Sequence, residues 1–259
     1  MANDIYFNFG ENWEQYSNRF LSQESFDIAI QSIQNLLQTQ TLENKSFLDV
    51  GCGSGIFSIA ASELNASEVV GIDINPLCID VSKKNSEKFS PDSSISFLIG
   101  SALDPIFFSQ FGDFDIVYAW GSLHHTSSMW EAISEVSKLV APDGLFVMSI
   151  YNKHFTSPIW KVIKRIYNLL PSFGKQMMLS LFGIIIYLAK YSVTGRNPLE
   201  KERGMDFRYD VIDWVGGYPY EYATPKEMID FMENQDFDFV SYFPPKVPTG
   251  CNEFVFKKK

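Results

Sequence analysis

Between residues 46 and 151 the chain alternates short apolar runs with helical segments five times over, and that grammar leaves few folds open. The runs SFLDVG (46–51), VVGIDI (69–74), ISFLIG (95–100), FDIVYAW (114–120) and LFVMSIY (145–151) each read as a strand. Near-continuous apolar strands of this kind are buried on both faces, as in a parallel sheet. The intervening stretches carry helix signals. One helix is expected from Ser54 to about Leu64, and a second opens at Asn75-Pro76 and reaches about Phe89. Asp104-Pro105 opens a short third, and Thr126 to Val140 forms a fourth, stopped by the turn signal Pro142-Asp143-Gly144. Parallel strands need right-handed crossovers, so a doubly wound α/β sheet follows, with ligands at the carboxyl ends of its strands.

The pattern breaks after Tyr151 and returns at Thr224-Pro225-Lys226-Glu227, which combines an N-cap, a proline at the first helical position and a capping-box glutamate. That helix runs to about Asn234, and FDFVSYF (237–243) and NEFVFK (252–257) read as two closing strands. The expectation is a seven-stranded, mostly parallel, doubly wound sheet in a single domain of 259 residues. A helical segment (11–40) precedes the core (45–152). A helical, aromatic-rich insertion (153–222) separates the core from the closing helix and strands (223–259).

Composition removes several function classes. The 46% hydrophobic content is too high for a disordered chain. The formal charge of −10 argues against a nonspecific grip on nucleic acid, which needs clustered Lys and Arg. Cys52, Cys78 and Cys251 are too few for a disulfide framework or a Cys-rich zinc site, and no metal site is expected. The N-terminal residues carry no basic, then apolar, secretory pattern, so a cytoplasmic location is the expectation. The longest apolar stretch, 177–193, spans 17 residues and includes Lys190, which is marginal for crossing a bilayer.

The chemistry concentrates in Leu48-Asp49-Val50-Gly51-Cys52-Gly53-Ser54-Gly55. Three glycines let the backbone turn sharply and approach a ligand, and the helix that follows aims free N–H groups at the same place. In the dinucleotide register G-x-G-x-x-G the third glycine position is taken by Ile56, which weakens a pyrophosphate reading. Asp49 beside the loop repels phosphate and suits a cationic group such as an α-amine. Asp73 ends the second strand, 22 residues after Gly51, where a carboxylate can accept both hydroxyls of a ribose. That spacing alone does not separate nicotinamide cofactors from other nucleosides. The two anchors together describe a ligand with a ribose, a positive charge and no phosphate, which S-adenosylmethionine fits.

The motifs D-V-G-C-G-S-G, G-I-D-I, F-D-I-V-Y-A-W-G-S-L-H-H and L-V-A-P-D-G-L-F, in this order, resemble the class I S-adenosylmethionine-dependent methyltransferases over residues 45–152, and 224–258 also fits. Within that class the chain resembles the ubiquinone-biosynthesis-type small-molecule branch. The resemblance implies a Rossmann-like fold and roles by position. Asp49 contacts the methionine amino group, and Gly51, Cys52, Gly53 and Gly55 line the loop. Asp73 holds the ribose hydroxyls, Ile74 packs on adenine, and Ser101 and Ala102 lie beside it, with Asp104 as a substitute adenine contact. Trp120 lies near the methionine end. Read from the sequence itself, Trp13 and Tyr16 of the N-terminal segment either close over the cofactor or pack their helix on the core.

On the acceptor side, His124 and His125 follow the fourth strand, where an imidazole can take the proton of an attacking nucleophile. The alternative is that they only shape the pocket, because positioning alone accelerates many methyl transfers. His154 is a further candidate. The polar, aromatic stretch 203–222, expected to be irregular, reads as the substrate wall through Arg203, Asp206, Trp214, Tyr218, Tyr220 and Glu221, with Tyr218 also a candidate acid–base group. The insertion 158–193 reads first as a helical lid, or else as an interfacial helix serving a lipid-linked acceptor. No N-P-P-[YF] motif follows the fourth strand, which disfavours methylation of nucleic-acid bases.

The expected reaction is methyl transfer to a small organic acceptor, most readily at oxygen: a sugar or glycan precursor, a phenol or quinone, or a secondary metabolite. Nitrogen or sulfur acceptors, a protein or tRNA substrate, and a non-enzymatic cofactor-binding regulator are the alternatives.

Overall fold

The computed structural model describes residues 6–199 and 207–259. Its centre is a seven-stranded sheet in the order β3-β2-β1-β4-β5-β7-β6. The strands are β1 (Ser46–Val50), β2 (Glu68–Asp73), β3 (Ile95–Ile99), β4 (Phe114–Trp120), β5 (Val140–Tyr151), β6 (Phe237–Phe243) and β7 (Cys251–Lys258). All pairs from β3 to β5 are parallel, and β7 runs antiparallel to both β5 and β6. The strand order steps outward from β1 in both directions, so the β1–β4 junction is the switch point at which doubly wound sheets bind ligands.

Period-2 alternation sends successive strand residues into two cores. Phe47, Ile116, Tyr118, Val147 and Val255 face one layer, built from α1 (Phe9–Phe20), α2 (Gln23–Leu37) and α3 (Ile56–Glu63). Leu48, Val117, Phe146, Met148 and Phe254 face the other, where Met129, Ile133 and Val136 of α6 (Met129–Ser137) meet Met228 and Met232 of α10 (Pro225–Glu233). α4 (Pro76–Phe89) crosses between β2 and β3, and the one-turn α5 (Pro105–Phe108) precedes β4. Asn75 caps α4 by accepting from Leu77 N–H at 3.0 Å, as the Asn-Pro signal predicts.

The capping box at α10 forms in full: Thr224 Oγ1 accepts from Glu227 N–H at 3.1 Å, and the Glu227 carboxylate accepts from Thr224 N–H at 2.8 Å. Lys153 donates to the same carboxylate at 2.7 Å and, with the Thr224 N–H bond, holds it down at about 2. Thr224→Ala is therefore expected to cost about 1 kcal/mol in a denaturant titration, the usual cost of a lost N-cap.

Three expectations are corrected. Pro142-Asp143-Gly144 does not stop a helix before a separate strand. It lies inside β5 as an irregularity, where the pairing jumps from Phe114–Val140 to Ile116–Leu145 and Asp143 takes φ 63°. The helix expected from Thr126 begins only at Met129, because Leu123–His125 forms a 3-10 turn first. The stretch expected to be irregular contains a helix, α9 (Phe207–Gly216). Among the described residues the insertion also contains α7 (Ser157–Leu169) and α8 (Ser172–Thr194), which pack on α9 around Tyr167, Ile186, Val211 and Val215.

Candidate functional site

The carboxyl ends of β1, β2 and β4 open into a cavity of about 1440 Å³. Asp49, the 51–54 loop, Asp73, Ile74, Ser101, Ala102, Trp120, His124 and His125 all reach its wall. Helices α1, α7, α8 and α9 and the loop between β6 and β7 close the remaining sides.

The glycine loop is a left-handed turn built for close approach. Gly51, Gly53 and Gly55 have φ values of 77°, 56° and 76°, a region that side chains other than glycine enter at a cost. There is no space for a side chain either. A Cβ on Gly51 would lie 2.3 Å from the Ser122 Cβ, and one on Gly53 would lie 2.9 Å from the Trp13 indole nitrogen. The turn thus packs tightly under Ser122 and Trp13, with Tyr16 beside Trp13; Gly51 and Gly53 reach the cavity wall, whereas Gly55 packs on Ser82 and Phe97 and, against expectation, does not.

Asp73 orders the loop from below. Its two carboxylate oxygens accept from Gly53 N–H at 3.0 Å and Asn75 N–H at 2.8 Å. The Cys78 thiol also bonds this carboxylate, and the remaining lone pairs are left for hydroxyl partners. Burial raises its pKa against those three bonds. Asp49 is 3% exposed and accepts from the Ser58 hydroxyl at 2.7 Å. Burial pushes its carboxyl up to about 7, with Asp73 adding to the rise. An anion held in this way gains most from a cationic partner. Ile74 stands 71% exposed on the rim, available to pack on a flat ring. Cys52 is buried, and both burial and the two aspartates push its thiol well up, so it acts as apolar filling. Asp104 is not at the cavity wall. It caps α5 through bonds from Ile106 and Phe107 N–H, both at 3.0 Å, and so does not substitute as an adenine contact.

The opposite wall is more aromatic. His125 Nδ1 lies 2.5 Å from the Pro219 carbonyl, which makes Nδ1 the donor and leaves Nε2 as the acceptor of a neutral ring. Burial lowers its pKa to about 3. His124 is 1% exposed and burial takes its pKa well down; its ring sits 4.3 Å from both His125 and Tyr151. Asp213 accepts from the Asn12 side chain at 2.6 Å, and burial raises it to about 7. Trp214 and Tyr218 line the cavity as expected. Tyr220 and Glu221 do not. Tyr220 is 1% exposed, packs its ring tilted 4.8 Å from Tyr151 and carries Lys164 over its ring. Glu221 accepts from Met129 N–H at 3.0 Å and so caps α6. His154 bonds Thr156 at the start of α7, away from the wall. Arg203 and Asp206 lie outside the described residues.

Ser122, inside the fourth-strand motif but given no role there, donates its hydroxyl to the Val50 carbonyl at 2.6 Å. Other wall residues had no sequence motif to mark them: Phe9 against His125 at 4.8 Å, Trp160, and Pro244–Thr249 of the closing loop. They come together only through the fold.

Residues 27–165, more than half of the chain, match the family model described as ribosomal protein L11 methyltransferase (PrmA). A ribosomal protein L11 methyltransferase of Tolumonas auensis is 34% identical over 116 residues, covering 44% of this chain. The match spans only 36% of that relative's own length. Among solved structures, the magnesium protoporphyrin IX methyltransferase of Synechocystis PCC 6803 with bound SAH is 14% identical with a TM-score of 0.59, covering 96% of this chain and 94% of its own. An O-methyltransferase family protein from Burkholderia thailandensis is 11% identical with a TM-score of 0.58, covering 95% and 59%. At these identities the two structures share the fold. The relatives' names replace the ubiquinone-type branch that the motifs resembled. The chain belongs to the ribosomal protein L11 methyltransferase (PrmA) family, within the class I S-adenosylmethionine-dependent methyltransferases.

Proposed function

We propose that the chain transfers a methyl group from S-adenosylmethionine to a nucleophile in this cavity, leaving S-adenosylhomocysteine. The observation that carries this reading is the pair of buried carboxylates flanking a left-handed glycine turn on which no side chain fits. When bound, S-adenosylmethionine supplies an activated methyl group, so the protein's contribution is orientation, exclusion of water and acceptance of one proton. Asp49 would hold the amino group and Asp73 the ribose hydroxyls. Ile74, Ser101 and Ala102 would flank the adenine.

On the acceptor side, the nucleophile's lone pair forms the new bond to carbon while the carbon–sulfur electron pair returns to sulfur. The acceptor's proton goes to a wall residue. Asp213, near 7, is better matched to that task at neutral pH than His125, near 3. His125 Nε2 would orient an amine acceptor by accepting its second hydrogen.

For the acceptor, the relatives' names support a protein side chain over the small molecule expected from sequence. The second reading, a small amphipathic acceptor, is favoured by Trp120, Trp160, Ile185 and Val211 on the wall. The matched stretch ends at residue 165, ahead of Ile185 and Val211. Incubation with methyl-labelled S-adenosylmethionine and either purified ribosomal protein L11 or a panel of phenols and quinols separates them. Label in acid-precipitated protein supports the first, and label in the organic extract supports the second. Asp213→Asn is expected to lower turnover on either acceptor by about a hundredfold while leaving S-adenosylhomocysteine affinity unchanged. Full turnover in that variant removes Asp213 as the base.

A further inference from the structure

Helices α7 and α8 leave two apolar stripes uncovered. On α8, Phe173, Met177, Leu181, Ile184, Leu188 and Tyr191 recur at intervals of three and four and are each more than half exposed. On α7, Ile159, Val162, Ile166 and Leu169 do the same at 47–65% exposure. Helical geometry puts each set on one face. The opposite face of α8 is occupied: Ile186 packs with Val211 and Val215 of α9, Ala189 and Val193 line the cavity, and Lys190 pairs with Asp210 at 2.5 Å. Soluble chains rarely leave contiguous apolar surface of this extent in water.

Charge identifies the occupant. The chain holds 31 acidic and 21 basic residues, yet residues 153–199 contain seven Lys and Arg and no Asp or Glu. Lys161 and Arg165 are exposed beside the α7 stripe, and Arg196 is exposed just beyond the end of α8. Lys153 and Lys190 pair with Glu227 and Asp210 and Lys164 is buried, so the exposed cations that flank the apolar face are Lys161, Arg165 and Arg196. A second copy would set those cations against each other. A bilayer with anionic headgroups satisfies the stripes and the charges together.

We infer that α7 and α8 form an interfacial hairpin that lies in the plane of an anionic membrane, stripes down, with α8 as the wall between the lipid and the cavity. α8 is long and apolar enough to cross a bilayer. Its inner face, however, is committed to α9, to the Lys190–Asp210 pair and to the cavity, so it lies along the surface. Where the protein sits is independent of the methyl-transfer reading.

The test is co-sedimentation of the full chain with vesicles of phosphatidylcholine alone or mixed equally with phosphatidylglycerol. The protein is expected to pellet with the mixed vesicles and to bind them at least about tenfold more tightly than the neutral ones, with the preference shrinking in about 0.5 M salt. Leu181→Glu with Leu188→Glu should weaken binding to mixed vesicles by about tenfold or more, since both side chains lie on the stripe. Lys161→Glu with Arg165→Glu should erase the anionic preference. Unchanged circular-dichroism melts show that both pairs still fold. Protein that stays in the supernatant with both vesicle types overturns the inference. So does wild-type binding by the Leu181/Leu188 variant, or sedimentation velocity showing a vesicle-free dimer that this variant dissociates, which assigns the stripe to a second copy.

Discussion

Asp73→Ala is expected to weaken S-adenosylhomocysteine binding by about a hundredfold or more in calorimetry, the largest loss from any single truncation at this site. Two effects add. In the proposed mode the carboxylate accepts both ribose hydroxyls, and hydrogen bonds to a charged group contribute about 1.5–3 kcal/mol each. The same oxygens also accept from Gly53 and Asn75 N–H. Truncation orphans both donors and releases the turn that the ligand needs. The matched control is Asp104→Ala, because Asp104 is a carboxylate in the loop after the next strand that caps α5 instead of lining the cavity. It should cost about 1 kcal/mol of stability and leave affinity unchanged. Equal losses in both variants, or an Asp73→Ala affinity within threefold of wild type, would rule out the ribose anchor.

The half of the site that was legible in the sequence is the half made by consecutive residues. The five apolar runs, the glycine turn and the carboxylates ending β1 and β2 are local patterns with local physical causes, and the sheet brings them together in only one way. Asn75-Pro76 and Thr224-Pro225-Lys226-Glu227 cap α4 and α10 as their chemistry dictates. The acceptor wall was less legible because no local rule builds it. Polarity and aromaticity in 203–222 pointed to a binding surface, yet Tyr220 supports Tyr151 from behind and Glu221 caps α6. Both side chains satisfy neighbours that lie far away in sequence. Asp213 stood among several acids in that stretch, and only Asn12, 201 residues away, distinguishes it. The Pro142-Asp143-Gly144 signal failed for a related reason. Turn residues also suit a bulge, and pairing with β4 decided between the two.

Asp49→Asn is expected to stabilise the ligand-free protein at pH 8 while removing its affinity for the cofactor, and the opposition of those effects is the signature of an electrostatic binding site. Asp49 titrates near 7 in the fold against 3.8 in the unfolded chain, because burial disfavours its charge. The folded state therefore binds a proton that the unfolded chain has released between those two values, and stability falls as pH rises through that window. Above pH 7 the buried charge costs up to about 4 kcal/mol, since each tenfold change in proton affinity between the two states corresponds to about 1.4 kcal/mol. The amide carries no charge and its carbonyl still accepts from Ser58. The melting midpoint of Asp49→Asn should thus rise on the order of 10 °C at pH 8 and by almost nothing at pH 4. Binding follows the reverse course. A cationic amine requires Asp49 ionised, so below pH 7 complex formation must expel its proton, and wild-type affinity should drop by up to about tenfold per unit as pH falls. Calorimetry at pH 6 in buffers of different ionisation enthalpy reads that proton directly. Wild type should release close to one, and Asp49→Asn none at any concentration where weak binding persists. Proton release that is the same in both proteins would place the titrating group elsewhere and leave Asp49 a buried residue without a ligand.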